Sequence, residues 1–269
     1  MKKENELQNR ESEAWIKLCE VIDRIAEEGK EEFSPYEELG EELFLQIYTL
    51  PESISKLKKV KKLWLYGSKI KLIPPEIGEM ENLEYFDPYT SYDLHWFPYE
   101  ITNCKNLKDS RVSTRALYGN DKNRMEFPDL RENPIRYHGE NLNCSICKKR
   151  IDYEGVNQVW ITIRVATDNL PLLANLCSKD CESKLQKPPK NYVNHAHKGG
   201  KELNQPLGEY YLSPEKRKEI LEKLEERKKE ENSAYKFEEA VDSGLNENSL
   251  KKLELTKLVR KIWDNENEN

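Results

Sequence analysis

No run of about 18 apolar residues occurs anywhere in this 269-residue chain, so nothing in it reads as a membrane span. The opening stretch MKKENELQNRESEAW is too polar for a secretory signal, and the expected location is the cytoplasm. Apolar material is sparse as well: 36% hydrophobic against 35% charged suits modest cores joined by well-solvated helices, not one large core. An excess of positive charge is also missing, and a formal net charge of -6 predicts no general attraction to nucleic acid or anionic lipid. The charge is uneven, however. Residues 1–49 carry 14 Asp/Glu against 6 Lys/Arg, whereas residues 144–212 carry 7 against 10, so only the middle of the chain suits phosphate.

What is present is a recurring phrase. LPESISKL begins at Leu50, IPPEIGEM at Ile73 and FPYEITNC at Phe97, so that Pro51, Pro74 and Pro98 return at a near-constant step. Between the phrases the apolar positions keep register: Leu57, Val60, Leu63, Leu65 and Ile70 align with Met80, Leu83, Phe86, Pro88 and Leu94, then with Cys104, Leu107, Ser110, Val112 and Leu117. A period of this length marks stacked repeats, each contributing one short strand. Residues then alternate inward and outward along each strand. The outward set is Lys62, Trp64 and Tyr66 in the first, Tyr85, Asp87 and Tyr89 in the second, and Asp109, Arg111 and Ser113 in the third. One Trp, three Tyr and an Arg on a solvated strand face is the composition of a partner-binding surface.

The phrase resembles the bacterial and plant-intracellular leucine-rich repeat, whose form LPxxIxxLxxLxxLxLxxN the chain follows over about 75 residues. That resemblance implies a curved solenoid used for protein recognition, without catalytic residues. The sequence departs from the pattern at Pro88, where a strand leucine is usual, and at Ser68 and Ser91, which replace the asparagine that satisfies turn backbone groups. Ahead of the repeats, Trp15, Leu18, Cys19, Ile22 and Ile25 recur at helical spacing before Gly29, and Ser34–Pro35 starts a second short helix. These helices are expected to cap the open end of the solenoid.

Four of the six cysteines sit in two tight pairs, Cys144/Cys147 in NCSICKKR and Cys177/Cys181 in LCSKDCESKL, with positions 148–176 between them. Four thiolates so spaced make a closed tetrahedral site, and one structural Zn2+ per chain is expected. The alternative, a redox dithiol, would want C-x-x-C at a helix start beside a thioredoxin-like βαβ pattern, which the sequence does not show. The spacer VNQVWITIRVA has the β-branched and aromatic content of a hairpin strand, and SKDCESKLQK can open a helix, an order that resembles a treble-clef or zinc-ribbon module. His195 and His197 read as a polar surface loop, with replacement of a ligand or formation of an open catalytic position as the alternative. A treble-clef nuclease would need histidine after Cys181, where Glu182, Lys184 and Gln186 stand instead. Non-cutting nucleic-acid binding through Lys148, Lys149, Arg150, Arg164, Lys187 and Lys190, helped by Trp160, is the second functional reading. Cys19 and Cys104 are expected in cores.

The sequence thus predicts an α+β chain: a helical cap over 1–42, a short leucine-rich repeat solenoid over 43–137, a zinc module over 138–212, charged helices over 213–264 and a disordered tail over 265–269. The last of those helices would carry Leu250, Leu253, Leu255, Leu258, Val259, Ile262 and Trp263. The expected activity is non-catalytic binding of a protein partner on the repeat strand face.

Overall fold

The computed structural model describes residues 8–139 and 141–206, together with Lys218 and Glu222. The helices expected over 213–264 and the tail after them lie outside the described residues. The account that follows is of residues up to 206.

Ser12 accepts a hydrogen bond from the Trp15 N–H and so caps helix α1 (Glu13–Glu28), which Gly29 closes in the left-handed conformation. Ala14, Trp15, Leu18, Ile22 and Ile25 form its one buried stripe. Strand β1 (Glu32–Phe33) follows, then the short helices α2 (Pro35–Leu39), capped by Ser34 through the Glu37 N–H, and α3 (Glu41–Phe44). Strands β2 (Lys62–Trp64), β3 (Tyr85–Asp87), β4 (Phe97–Pro98) and β5 (Asp109–Ser110) come next, and each recurring phrase turns through 3-10 helix after its proline, at Glu52–Lys56, Pro75–Glu79 and Tyr99–Asn103. Four of the strands form a parallel sheet in the order β1-β2-β3-β5, and the register Lys62↔Tyr85 and Tyr85↔Asp109 carries the sequence period into backbone pairing.

The leucine-rich repeat solenoid expected from the sequence is not the fold observed. The described residues form a mixed α/β structure with three separate sheets, and the parallel one has strands of only two or three residues. Two features account for the difference. One edge strand, β1, comes from outside the repeats, and the third phrase does not simply stack on the second: its Phe97–Pro98 pairs with a strand of the cysteine region. Beyond Ser110, the parallel edge is closed by Thr167, whose hydroxyl accepts from the Ser110 N–H at 3.1 Å and donates to the Ser110 carbonyl at 2.9 Å. The outward backbone groups of Ser110 are thereby taken and cannot pair with another strand.

After β5 the chain forms a two-stranded antiparallel ribbon, β6 (Asn141–Asn143) with β7 (Arg150–Asp152), and a long hairpin, β8 (Asn157–Val165) with β9 (Asp168–Leu176). The parallel pairing of β4 with β9 makes the hairpin a three-stranded mixed sheet, and α4 (Lys179–Ser183) ends the region. One hydrophobic cluster runs from Leu18 through Leu63, Phe86 and Ile101 to Cys144, Ile161 and Leu172, so repeats and cysteine region share a core. A second holds Trp96, Phe127, Leu130, Trp160 and Leu173. Cys104 is in the first, its thiol donating to the Ile77 carbonyl at 3.2 Å and pushed up to about 12 by burial.

The 3-10 turn at 75–79 lies close against the one at 99–103 at Gly78. A side-chain carbon there would lie 2.4 Å from the Glu100 carbonyl oxygen, inside any permitted contact. Gly78→Ala is therefore expected to destabilise the protein by about 1–3 kcal/mol through forced separation of the turns. A urea melt with an unchanged midpoint would show that the turns move apart freely.

Candidate metal centre and aromatic face

The sequence around each cysteine pair builds half of a cluster that could hold a metal ion. Between β6 and β7 the chain makes a tight turn in which the Cys144 N–H donates to the Lys149 carbonyl at 2.8 Å and the Lys148 N–H to the Cys144 carbonyl at 2.9 Å. Lys148 adopts a positive φ of 62° to complete it. At the other half, β9 delivers Cys177, and Ser178 caps α4 by accepting from the Cys181 N–H, which places Cys181 in the first turn. The four sulfurs lie within 4.8 Å of one another, with Cys147 to Cys177 at 3.5 Å and Cys177 to Cys181 at 3.6 Å. Tetrahedral coordination at ~2.3 Å per sulfur requires sulfurs ~3.8 Å apart. The group fits a metal ion, and all four thiols are free of disulfide.

The electrostatics point the same way. Burial opposes ionisation of Cys144, but the N–H groups of Cys147, Ile146 and Cys177 directed at its sulfur bring it down to about 6. The Ser178 hydrogen bond favours the Cys181 thiolate, yet burial and the adjoining Cys177, Cys147 and Cys144 thiols together push it up to about 12. One thiolate forms readily here and further ones repel it. Held by these four cysteines, a divalent cation would offset that repulsion and favour the thiolate form of all four.

Two residues other than the cysteines hold this arrangement, and the sequence reading missed both. The Ser145 N–H donates to the Asn175 carbonyl at 2.7 Å, and the Asn175 N–H donates to the Ser145 hydroxyl at 2.9 Å, tying the turn to β9 beside Cys177. Asn175 is fully buried, and its amide oxygen accepts from Gln158 at 2.9 Å. A lone asparagine inside the apolar run LPLLANL was the available signal, because a buried amide is retained only where partners meet it.

His195 and His197 are not part of the sulfur group. His197 is not a surface residue either: its backbone bridges Trp160 in both directions, at 2.8 and 3.0 Å, and its ring packs edge-on against Phe127. The Gly199 N–H donates to His197 Nδ1 at 3.1 Å. Burial, and secondarily His195, lower its pKa to about 4. The unfolded chain takes up this proton near pH 6.5, so the stabilisation is complete above that pH and is lost as pH falls towards 4, on the order of 3 kcal/mol in all. His197→Asn, which keeps an acceptor near the Nδ1 position, should flatten that part of a stability-against-pH curve. An unaltered curve would assign the loss to other groups.

Trp160 is fully buried, with its indole N–H donating to the Pro128 carbonyl at 2.9 Å and its ring against Trp96, Tyr118 and Phe127. It cannot stack on a base, and the nucleic-acid reading loses its aromatic. Lys148, Lys149, Arg150, Arg164, Lys187 and Lys190 remain exposed.

The outward strand set divides in two. Trp64 and Tyr85 pack with ring centroids 4.8 Å apart, and Tyr66 and Tyr89 at 6.1 Å. Tyr66 and Tyr89 are 56% and 41% exposed, and Tyr92, outside the expected set, 66%. The polar tips are pinned: the Trp64 N–H donates to Glu32 at 3.3 Å and the Tyr85 hydroxyl to Asp87 at 2.9 Å. Lys62 is exposed and paired with Glu32 at 2.7 Å, and the Arg111 guanidinium stands 5.3 Å from the Tyr89 ring centre. Two members are committed to the fold instead. Asp87, expected outward, is 1% exposed and accepts from Tyr85 and the Tyr89 N–H, with Arg111 at 3.5 Å. Ser113 accepts from the Thr90 N–H at 2.9 Å, whereas Asp109 stays exposed. Ser68 and Ser91 are joined at 2.7 Å, and Ser91 donates on to the Leu65 carbonyl at 3.0 Å, so paired serines serve the turns.

Thr90, next to Tyr89, is held at a φ of 60°, a strained conformation for a β-branched residue. Among the described residues no helix is long and apolar enough to cross a membrane.

Comparison with known proteins finds no matching family model and no similar curated protein. The functional reading therefore rests on the two sites themselves.

Proposed function

We propose that the chain is a non-catalytic protein-binding module that takes its partner on the aromatic face of the parallel sheet, with Cys144, Cys147, Cys177 and Cys181 holding one structural zinc ion. The observation that carries the binding reading is the row Trp64, Tyr85, Tyr66 and Tyr89. These are large rings at the surface, and the polar ends of Trp64 and Tyr85 already have partners within the protein. Rings fixed before binding lose little freedom when a partner covers them, which is how aromatic anchors come to dominate interface energies. Strain at Thr90 supports the same face, since strained backbone gathers at ligand sites.

Zinc is the metal proposed because four thiolates near tetrahedral spacing suit its size and softness, and a shell closed by four protein ligands leaves no position for substrate. Elemental analysis of protein purified without added metal should return one zinc per chain. The face is tested by affinity capture with the wild-type chain and with the Trp64→Ala/Tyr89→Ala variant. A partner held by the first and lost by the second, at equal melting temperature, supports the reading. Equal retention by both overturns it.

A further inference from the structure

The four sulfurs are not equivalent. Cys144 and Cys181 are buried, Cys177 is half-buried and Cys147 is exposed, and the two more accessible sulfurs are 3.5 Å apart. They belong to different halves of the site, Cys147 to the turn before β7 and Cys177 to the end of β9. A reagent arriving from solvent therefore meets Cys147 first and finds Cys177 beside it, while the other two are screened by the core.

We propose that Cys147 and Cys177 are an oxidation site, at which a hydroperoxide joins the two sulfurs in a disulfide and releases the metal. The inference rests on the proposed zinc centre, where metal-bound thiols are thiolates and so nucleophiles. The Cys147 thiolate attacks the terminal oxygen of the hydroperoxide. A sulfur–oxygen bond forms, the oxygen–oxygen bond breaks, and the departing alkoxide or hydroxide takes a proton from water. The Cys177 thiolate then attacks the resulting sulfenic sulfur, forming the sulfur–sulfur bond and expelling hydroxide, which is also protonated by water. Two sulfurs lose one electron each and the hydroperoxide gains both. Left with two thiolates, the zinc ion departs into solvent. The new bond links the same two halves that the metal linked, so the Ser145–Asn175 contact between turn and β9 keeps its geometry.

The test uses the wild-type full chain loaded with zinc to a measured stoichiometry, titrated with hydrogen peroxide in the presence of a zinc-binding dye, and then alkylated and digested without reduction. Trypsin separates Cys177 from Cys181 after Lys179, and fragmentation distinguishes Cys144 from Cys147. One zinc should be released per disulfide formed, with Cys147 linked to Cys177 and alkyl groups on Cys144 and Cys181. A chain that takes up no zinc overturns the metal reading, and this inference with it. A zinc-loaded chain that keeps its metal under peroxide, or that links any other pair, overturns this inference alone.

Discussion

Treatment with a strong chelator is expected to lower the melting temperature by roughly 10 °C or more, since a domain of this size shifts by about 2–4 °C per kcal/mol and structural zinc contributes several kcal/mol. The effect is expected to be large because the four-cysteine cluster is continuous with the main core. Cys144 belongs to the same hydrophobic cluster as Phe86, Ile101 and Leu172, and β9, which delivers Cys177, pairs with Phe97–Pro98 of the third phrase. Loss of the ion leaves thiols that cannot all ionise around one point, and it frees the turn between β6 and β7 except for its Ser145–Asn175 contact. Hydrogen exchange should therefore rise first over residues 141–152 and 177–183. Cys181→Ser should match the chelated wild type and be insensitive to further chelator. A melting temperature unmoved by complete metal removal would make the four thiols structurally idle.

Removing the aromatic anchors should have the other large effect, on binding and not on stability. Truncation of a central aromatic at an interface costs about 2 kcal/mol or more, roughly 30-fold in Kd. Trp64→Ala and Tyr89→Ala act on different ring pairs, so together they should weaken the complex by at least ~100-fold. Tyr89→Phe should weaken it little, because the ring face remains over Arg111. Arg111→Ala provides the contrast. It takes the guanidinium away from the buried Asp87 carboxylate as well as from the surface, and so it should lower stability and binding together. If the double alanine variant melts with the wild type and binds as tightly, the anchors lie elsewhere.

Several local features were legible because they depend on residues close in sequence. Gly29 ends α1 and Ser34 caps α2, each through one or two backbone groups within a turn, and the helix expected from SKDCESKLQK starts at its Ser178 cap as α4. The β-branched and aromatic run VNQVWITIRVA became β8, whose partner β9 follows directly after Ala166 and Thr167. Reading the recurring phrase as a solenoid went further than its period warranted. A constant step along the chain specifies pairing of neighbouring short strands, not what the rest of each segment packs against. Here β1 takes one edge, Thr167 closes the other, and the third phrase turns to β9.

By itself the sequence determined two things: which residues step together along the parallel strands, through a constant repeat length, and which four cysteines share a site, through their spacing. Both are properties of chain length between like residues, and chain length survives folding. Burial was decided only by the tertiary structure. It placed Asp87 beneath Tyr85 and Arg111, drew Trp160 and His197 into the second core, and left Cys147 in solvent while Cys144 was covered. The reason is physical: exposure depends on surfaces supplied by distant stretches of the chain, such as Arg111 for Asp87 and Pro128 for Trp160, and no local pattern records which of them will arrive.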